Sequence, residues 1–154
     1  MKDFFILSLI FYKSTMVFAD ISPCVHADTI FRCVKIISVH DGDTFKAEIP
    51  NTHPFFSSSL IRLNGIDAPE ITSKTPCEKS KAETAKAQLE AMLKTATRID
   101  LYNIQKDKYF RIRADVYADG KNVSEIILKK HLARPYHGEA KVYYNWCKAQ
   151  GGST

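Results

Sequence analysis

The chain has 154 residues and a formal net charge of +5. That length is one domain's worth of chain, and the basic balance favours a polyanionic partner such as nucleic acid. No internal repeat or low-complexity tract is present, and the longest apolar run is too short to span a bilayer, which sets aside a repeat array and a membrane anchor.

Residues 1–19 read as a removable signal peptide: Lys2, an apolar run from Phe4 to Tyr12, then Val17-Phe18-Ala19 where a signal peptidase needs small or branched residues. Cleavage after Ala19 removes Lys2, Lys13 and Asp3 and takes the net charge from +5 to +4. A secreted or periplasmic location follows, with residues 20–29 as a lead-in, 30–147 as the folded body and 148–154 as a flexible tail. Cys24, Cys33, Cys77 and Cys147 all lie beyond the cleavage point, and an even count in an exported chain suggests disulfides. Three pairings are open. Cys24 with Cys33 and Cys77 with Cys147 is preferred, because the second bridge ties the C-terminal tail to the body. The competing zinc site from Cys24, His26, Cys33 and His40 fits no familiar ligand spacing.

In chain order, the β-branched stretch Ile30 to Val39 reads as a strand that ends at the turn signal His40-Asp41-Gly42-Asp43. Phe45, Ala47 and Ile49 alternate with polar residues as its hairpin partner, so acids stand at the hairpin tip. Pro50 to Ser59 is a loop whose Phe55 and Phe56 are expected to pack. A third strand carries Ile61 and Leu63 on one face and Arg62 and Asn64 on the other, then turns at Gly65. Thr75-Pro76-Cys77-Glu78 reads as a capping box opening a helix that runs to about Thr95, with Ala82, Ala85, Leu89, Met92 and Leu93 on the buried face. Arg98 to Ile104 is a fourth strand and Arg111 to Ala118 a fifth, with Arg111, Arg113, Asp115 and Tyr117 on its polar face. Asn122 and Glu125 open a second helix, and an aromatic tail follows. These elements predict an α+β domain with a mostly antiparallel five-stranded sheet and packed helices; closure into a β-barrel is compatible with them, and periodicity does not establish it.

Within this frame the stretch from Arg62 to Glu70 stands out. Arg62 points away from the core its neighbours build, and Ala68-Pro69 holds Asp67 and Glu70 apart. A planar cation with two separately held acids suits phosphate chemistry.

Four blocks stand in order: Asp41-Gly42-Asp43-Thr44, Arg62 to Glu70, Asp107-Lys108-Tyr109-Phe110-Arg111, and Leu132-Ala133-Arg134-Pro135-Tyr136. Together they resemble the staphylococcal (micrococcal) nuclease family, over about Val34 to Tyr136. The resemblance implies an OB-type five-stranded β-barrel and a monomeric, calcium-dependent, nonspecific endonuclease that cuts DNA and RNA to leave 3′-phosphate ends. It makes Asp43, Asp67 and the main-chain carbonyl of Ala68 the Ca2+ ligands. Glu70 becomes the general base, Arg62 and Arg111 the phosphate-binding arginines, and Lys108 and Tyr109 contacts to substrate phosphate. Two positions depart from the family pattern: Phe110 and His131 each stand where glycine is usual. The first bears on the turn that aims Arg111, the second on the end of the second helix.

The chemistry wants these residue types. Calcium takes oxygen ligands, and a site with two protein carboxylates is expected to bind at roughly 10⁻⁴ to 10⁻³ M. Each arginine can hold phosphate oxygens bidentately, which lysine cannot copy. Asp41 is a candidate for holding the turn. The alternative is a non-catalytic nucleic-acid-binding OB module, which metal-dependent cleavage would separate from an enzyme.

Overall fold

A computed structural model describes residues 23–107, 110–140 and 142–148. The expected signal peptide, the last residues of the tail, Lys108 and Tyr109 lie outside the described residues. Among the described residues, eight strands and two helices run in the order β1 (Lys35–Val39), β2 (Thr44–Glu48), β3 (Ser58–Leu63), β4 (Ile66–Asp67), α1 (Pro76–Thr95), β5 (Ile99–Lys106), β6 (Ile112–Ala118), β7 (Lys121–Asn122), α2 (Val123–Lys129) and β8 (Arg134–Pro135).

The main sheet follows the path β1-β2-β3-β6-β5, with β7 added beside β6. Its pairs are antiparallel except β3 with β6, which is parallel, with Arg62 level with Arg113. The expected closed barrel is corrected here: the sheet is an open path, and β1 and β5 are not paired as strands. Instead the irregular segment before β1 meets β5 through main-chain hydrogen bonds. Phe31 and Leu101 exchange two, at 2.9 and 2.7 Å, and Val34 donates to the Ile99 carbonyl at 2.9 Å. The predicted strand from Ile30 breaks because Cys33 takes φ 54 and is bridged to Cys24, so regular pairing begins at Lys35.

Alternation places the core. Ile61 and Leu63 of β3, and Ile112, Ala114, Val116 and Ala118 of β6, are all buried on one face. α1 covers that core with Ala82, Ala85, Leu89 and Leu93, the face its periodicity predicts, and α2 adds Val123 and Ile127. α1 starts where Thr75-Pro76 places it, but the capping box does not form. The Thr75 side chain makes no capping bond, and Glu78 accepts instead from Ser73 Oγ at 2.9 Å. Asn122 does cap α2, accepting the Glu125 N–H at 3.2 Å.

Both preferred disulfides are formed, Cys24–Cys33 and Cys77–Cys147. All four thiols are therefore used, and among the described residues no cluster of three or more His, Cys, Asp or Glu side chains is placed to hold a metal ion. The zinc reading falls with them. No described helix is long and apolar enough to cross a membrane. Of the loop aromatics, Phe56 packs on Phe31 with ring centroids 6.2 Å apart, while Phe55 stays 72 % exposed.

Candidate active site

The β1–β2 turn is held tightly under α1. A Cβ added at Gly42 would meet Ala85 Cβ at 2.6 Å and Ala68 Cβ at 2.9 Å, so only glycine lets this turn sit against the helix. The next residue, Asp43, is buried and strapped on several sides. Its carbonyl accepts from the Leu63 N–H at 2.8 Å, Oδ2 accepts from the Ala68 N–H at 2.8 Å, and Oδ1 accepts from Thr44 Oγ1 at 2.9 Å. Asp41 holds the turn from outside, its Oδ1 accepting the Asp43 N–H at 3.1 Å. Burial pushes the Asp41 carboxyl above its ordinary pKa, against the pull of Arg62.

Arg62 stands opposite these acids because β3 alternation turns it off the core. It is ion-paired with Asp43 and, through Nη2, reaches Asp67 Oδ1 at 3.3 Å and the Ile66 carbonyl at 3.2 Å. Burial lowers its guanidinium pKa, while the charges of Asp67, Asp41 and Glu70 act the other way and Arg111 adds to the lowering. The five groups therefore share one electrostatic neighbourhood.

Asp67 is placed by a short pairing that sequence reading did not find: β4 runs antiparallel to β8, with Asp67 level with Arg134. Arg134 donates to Asp67 Oδ2 from Nε at 3.1 Å and Nη2 at 3.0 Å, and its guanidinium lies 4.7 Å from the Tyr144 ring centre. The motif Leu132 to Tyr136 contained Arg134, but nothing in it points to a partner 67 residues away.

Arg111 lies just before β6. Asp107 Oδ2 accepts from its Nε at 2.8 Å and Nη2 at 2.5 Å, and the Asp107 N–H donates to the Arg111 carbonyl at 2.9 Å, closing the β5–β6 turn. Phe110 completes that turn at φ 58, a left-handed conformation that glycine adopts more cheaply, and its ring is 84 % exposed.

Asp43, Arg62, Ala68, Glu70 and Arg111 all line one cleft of about 650 Å³. Asp67 is buried and is not part of that lining; it reaches the cleft through Arg62. Glu70 is exposed at the cleft edge. Of the sequence-predicted site residues that are described, the structure thus gathers all around a single opening or directly behind it. Lys108 and Tyr109 are outside the described residues.

An α+β domain with arginines and acids converging on one cleft has the groups to hold a phosphate. The family follows from comparison: the model for "Staphylococcal nuclease homologue" matches residues 60–149, and the chain belongs to that family. The SPbeta prophage-derived endonuclease YokF of Bacillus subtilis (strain 168) is 33% identical over 97 residues, covering 61% of this chain and 31% of that protein. Endonuclease YncB of the same organism is 34% identical over 97 residues, 61% of this chain and 43% of that protein. The Staphylococcal-like nuclease CAN1 of Arabidopsis thaliana is 38% identical over 76 residues, 49% of this chain and 21% of that protein. The chain thus spans less than half the length of each of these relatives.

Proposed function

We propose that the chain is an exported, calcium-dependent endonuclease that hydrolyses phosphodiester bonds of DNA and RNA without sequence preference, leaving 3′-phosphate ends. Residues 1–19 serve as its signal peptide, and the mature protein acts as a monomer outside the cytosol, where both disulfides persist. The observation that carries the reading is the convergence of Arg62, Arg111 and Glu70 on one cleft, with two buried aspartates fixed beside Arg62.

The donor set fits a hard cation. Asp43 and Asp67 are 3 % and 4 % exposed; both are paired with Arg62, and Asp67 also with Arg134. With the Ala68 carbonyl they offer only oxygen ligands, as calcium prefers. When bound, calcium would neutralise phosphate oxygens and polarise water.

The chain's own groups do the rest. Glu70, at the open side of the cleft, takes a proton from the attacking water or orients it. Arg62 and Arg111 bind non-bridging phosphate oxygens in a planar, bidentate manner and stabilise the charge that grows on them in the transition state. Arg111 is aimed by Asp107 and by the Phe110 turn. Lys108 and Tyr109 contact the substrate phosphates.

The test is cleavage of plasmid DNA and of a single-stranded oligonucleotide with calcium, with magnesium and with a chelator, beside Glu70→Gln. Calcium-dependent cutting that the chelator and the substitution both suppress supports the reading. A folded protein that shifts DNA in a gel yet leaves it intact in calcium would make it a non-catalytic binding module.

A further inference from the structure

The chain has six arginines, and five of them are ion-paired with aspartates: Arg32 and Arg98 with Asp100, Arg62 with Asp43 and Asp67, Arg111 with Asp107, and Arg134 with Asp67. Arg113 is the exception. Among the described residues it has no carboxylate partner, although it lines the same cleft as Arg62, Arg111 and Glu70. Its Nη2 is held by the neutral amide oxygen of Gln105, and its Nε is buried with no hydrogen-bond partner. A guanidinium with an orphaned buried donor and no counter-charge lacks an anion.

The sheet says where that anion would lie. β3 and β6 are parallel neighbours with Arg62 level with Arg113, so the two side chains leave the sheet on the same face. Arg111 precedes Arg113 by two residues, which returns it to that face roughly 6.6 Å further along. Arg62 and Arg111 each have an aspartate partner within the protein, and among the described residues Arg113 has none. The backbone at Gly138 comes close on the other side, since a Cβ there would stand 3.6 Å from Arg113 Nη1, so the site has a wall as well as a floor.

We propose that Arg113 forms a second phosphate subsite, which holds a backbone phosphate adjoining the scissile one. This rests on the nuclease reading and deepens it: the preferred substrate is a strand with a phosphate flanking the cleaved bond, and Arg113 sets that preference. Gln105 orients the guanidinium by accepting from Nη2, and the flanking phosphate supplies the missing negative charge.

Two measurements test it. The first needs no cleavage: binding of a short single-stranded oligonucleotide to the Glu70→Gln protein, followed as salt is raised, with and without a further Arg113→Gln or Arg113→Lys change. Loss of one phosphate contact should lower the slope of log K against log salt by about 0.7 for Arg113→Gln, and Arg113→Lys should restore it. The second compares cleavage of a substrate with a single phosphodiester against the same substrate carrying one extra flanking phosphate. Arg113→Gln should shrink the preference in kcat/KM for the longer substrate about tenfold. An unchanged salt slope, or an unchanged preference with both substrates slowed equally, overturns the subsite. Failure of the parent enzyme to cut either substrate would sink the nuclease reading instead, and the salt slope would still decide whether Arg113 binds phosphate.

Discussion

Arg134 places two donors, Nε and Nη2, on the single oxygen Oδ2 of Asp67, at 3.1 and 3.0 Å, and leaves Oδ1 to Arg62. Asp67 is 4 % exposed, so it is an acid whose direction is set from behind by one arginine and from the front by another. Removing Arg134 should therefore loosen Asp67 without touching the cleft lining. Arg134→Ala is expected to weaken calcium binding about tenfold or more, by analogy with loss of a group that orients a metal ligand. Calcium titration of the folded variant by calorimetry checks this, and unchanged affinity would mean that Asp67 is held well enough by β4–β8 pairing alone.

The Arg134 guanidinium lies against Tyr144, and Lys81 Nζ donates to the Trp146 carbonyl at 2.7 Å, so the C-terminal segment is fastened to α1 and to the arginine behind the site. The Cys77–Cys147 bridge closes a span of 70 residues over this arrangement. Replacing both cysteines with serine should cost about 2–4 kcal/mol, chiefly by releasing the unfolded chain. Chemical denaturation of the variant beside the parent measures it, and a loss under about 1 kcal/mol would show that packing already holds the segment.

His131 ends α2 at φ 56, in the left-handed region where a non-glycine residue carries a steric penalty. His131→Gly should stabilise the protein by roughly 0.5–1 kcal/mol, the relief being partly offset by the freer unfolded chain. A rise in Tm by calorimetry is the expected result. Phe110 is in the same region at φ 58, but its turn aims Arg111, so Phe110→Gly should change kcat as well as stability.

The rim of the cleft carries a carboxylate held by main-chain donors. Backbone N–H groups of Glu139 itself and His137 hold the Glu139 carboxyl below the ordinary carboxylate pKa. A depressed pKa stabilises the folded rim above the unfolded value, and that contribution is lost as pH falls through the folded value. Hydrogen exchange of residues 136–139 should therefore quicken as pH falls through the lowered Glu139 value, after correction for the intrinsic rate, and Glu139→Gln should remove that dependence.

Much of this was legible in residue order. Alternation in Ile61-Arg62-Leu63 and across Ile112 to Ala118 reports which face each side chain takes, because a strand has period two. Periodicity carries no information about which strand lies alongside. The parallel neighbour relation of Arg62 and Arg113 and the pairing of Asp67 with Arg134 therefore emerged only in three dimensions. Regular pairing between the first strand and β5 is interrupted at a local feature, the left-handed Cys33 between the bonded Phe31 and Val34, which no hydrophobic pattern records. At Thr75 the residue types of a capping box were present, yet Ser73 competed for Glu78 and won it.

The most direct test of the central claim is the turnover of Arg62→Ala and Arg111→Ala on plasmid DNA in saturating calcium, with folding checked by circular dichroism. If the two guanidiniums stabilise the phosphate in the transition state, each loss should lower kcat by about 10² to 10³. Folded variants that cut at the parent rate would contradict the account and leave the two arginines as ion-pair partners of Asp43, Asp67 and Asp107.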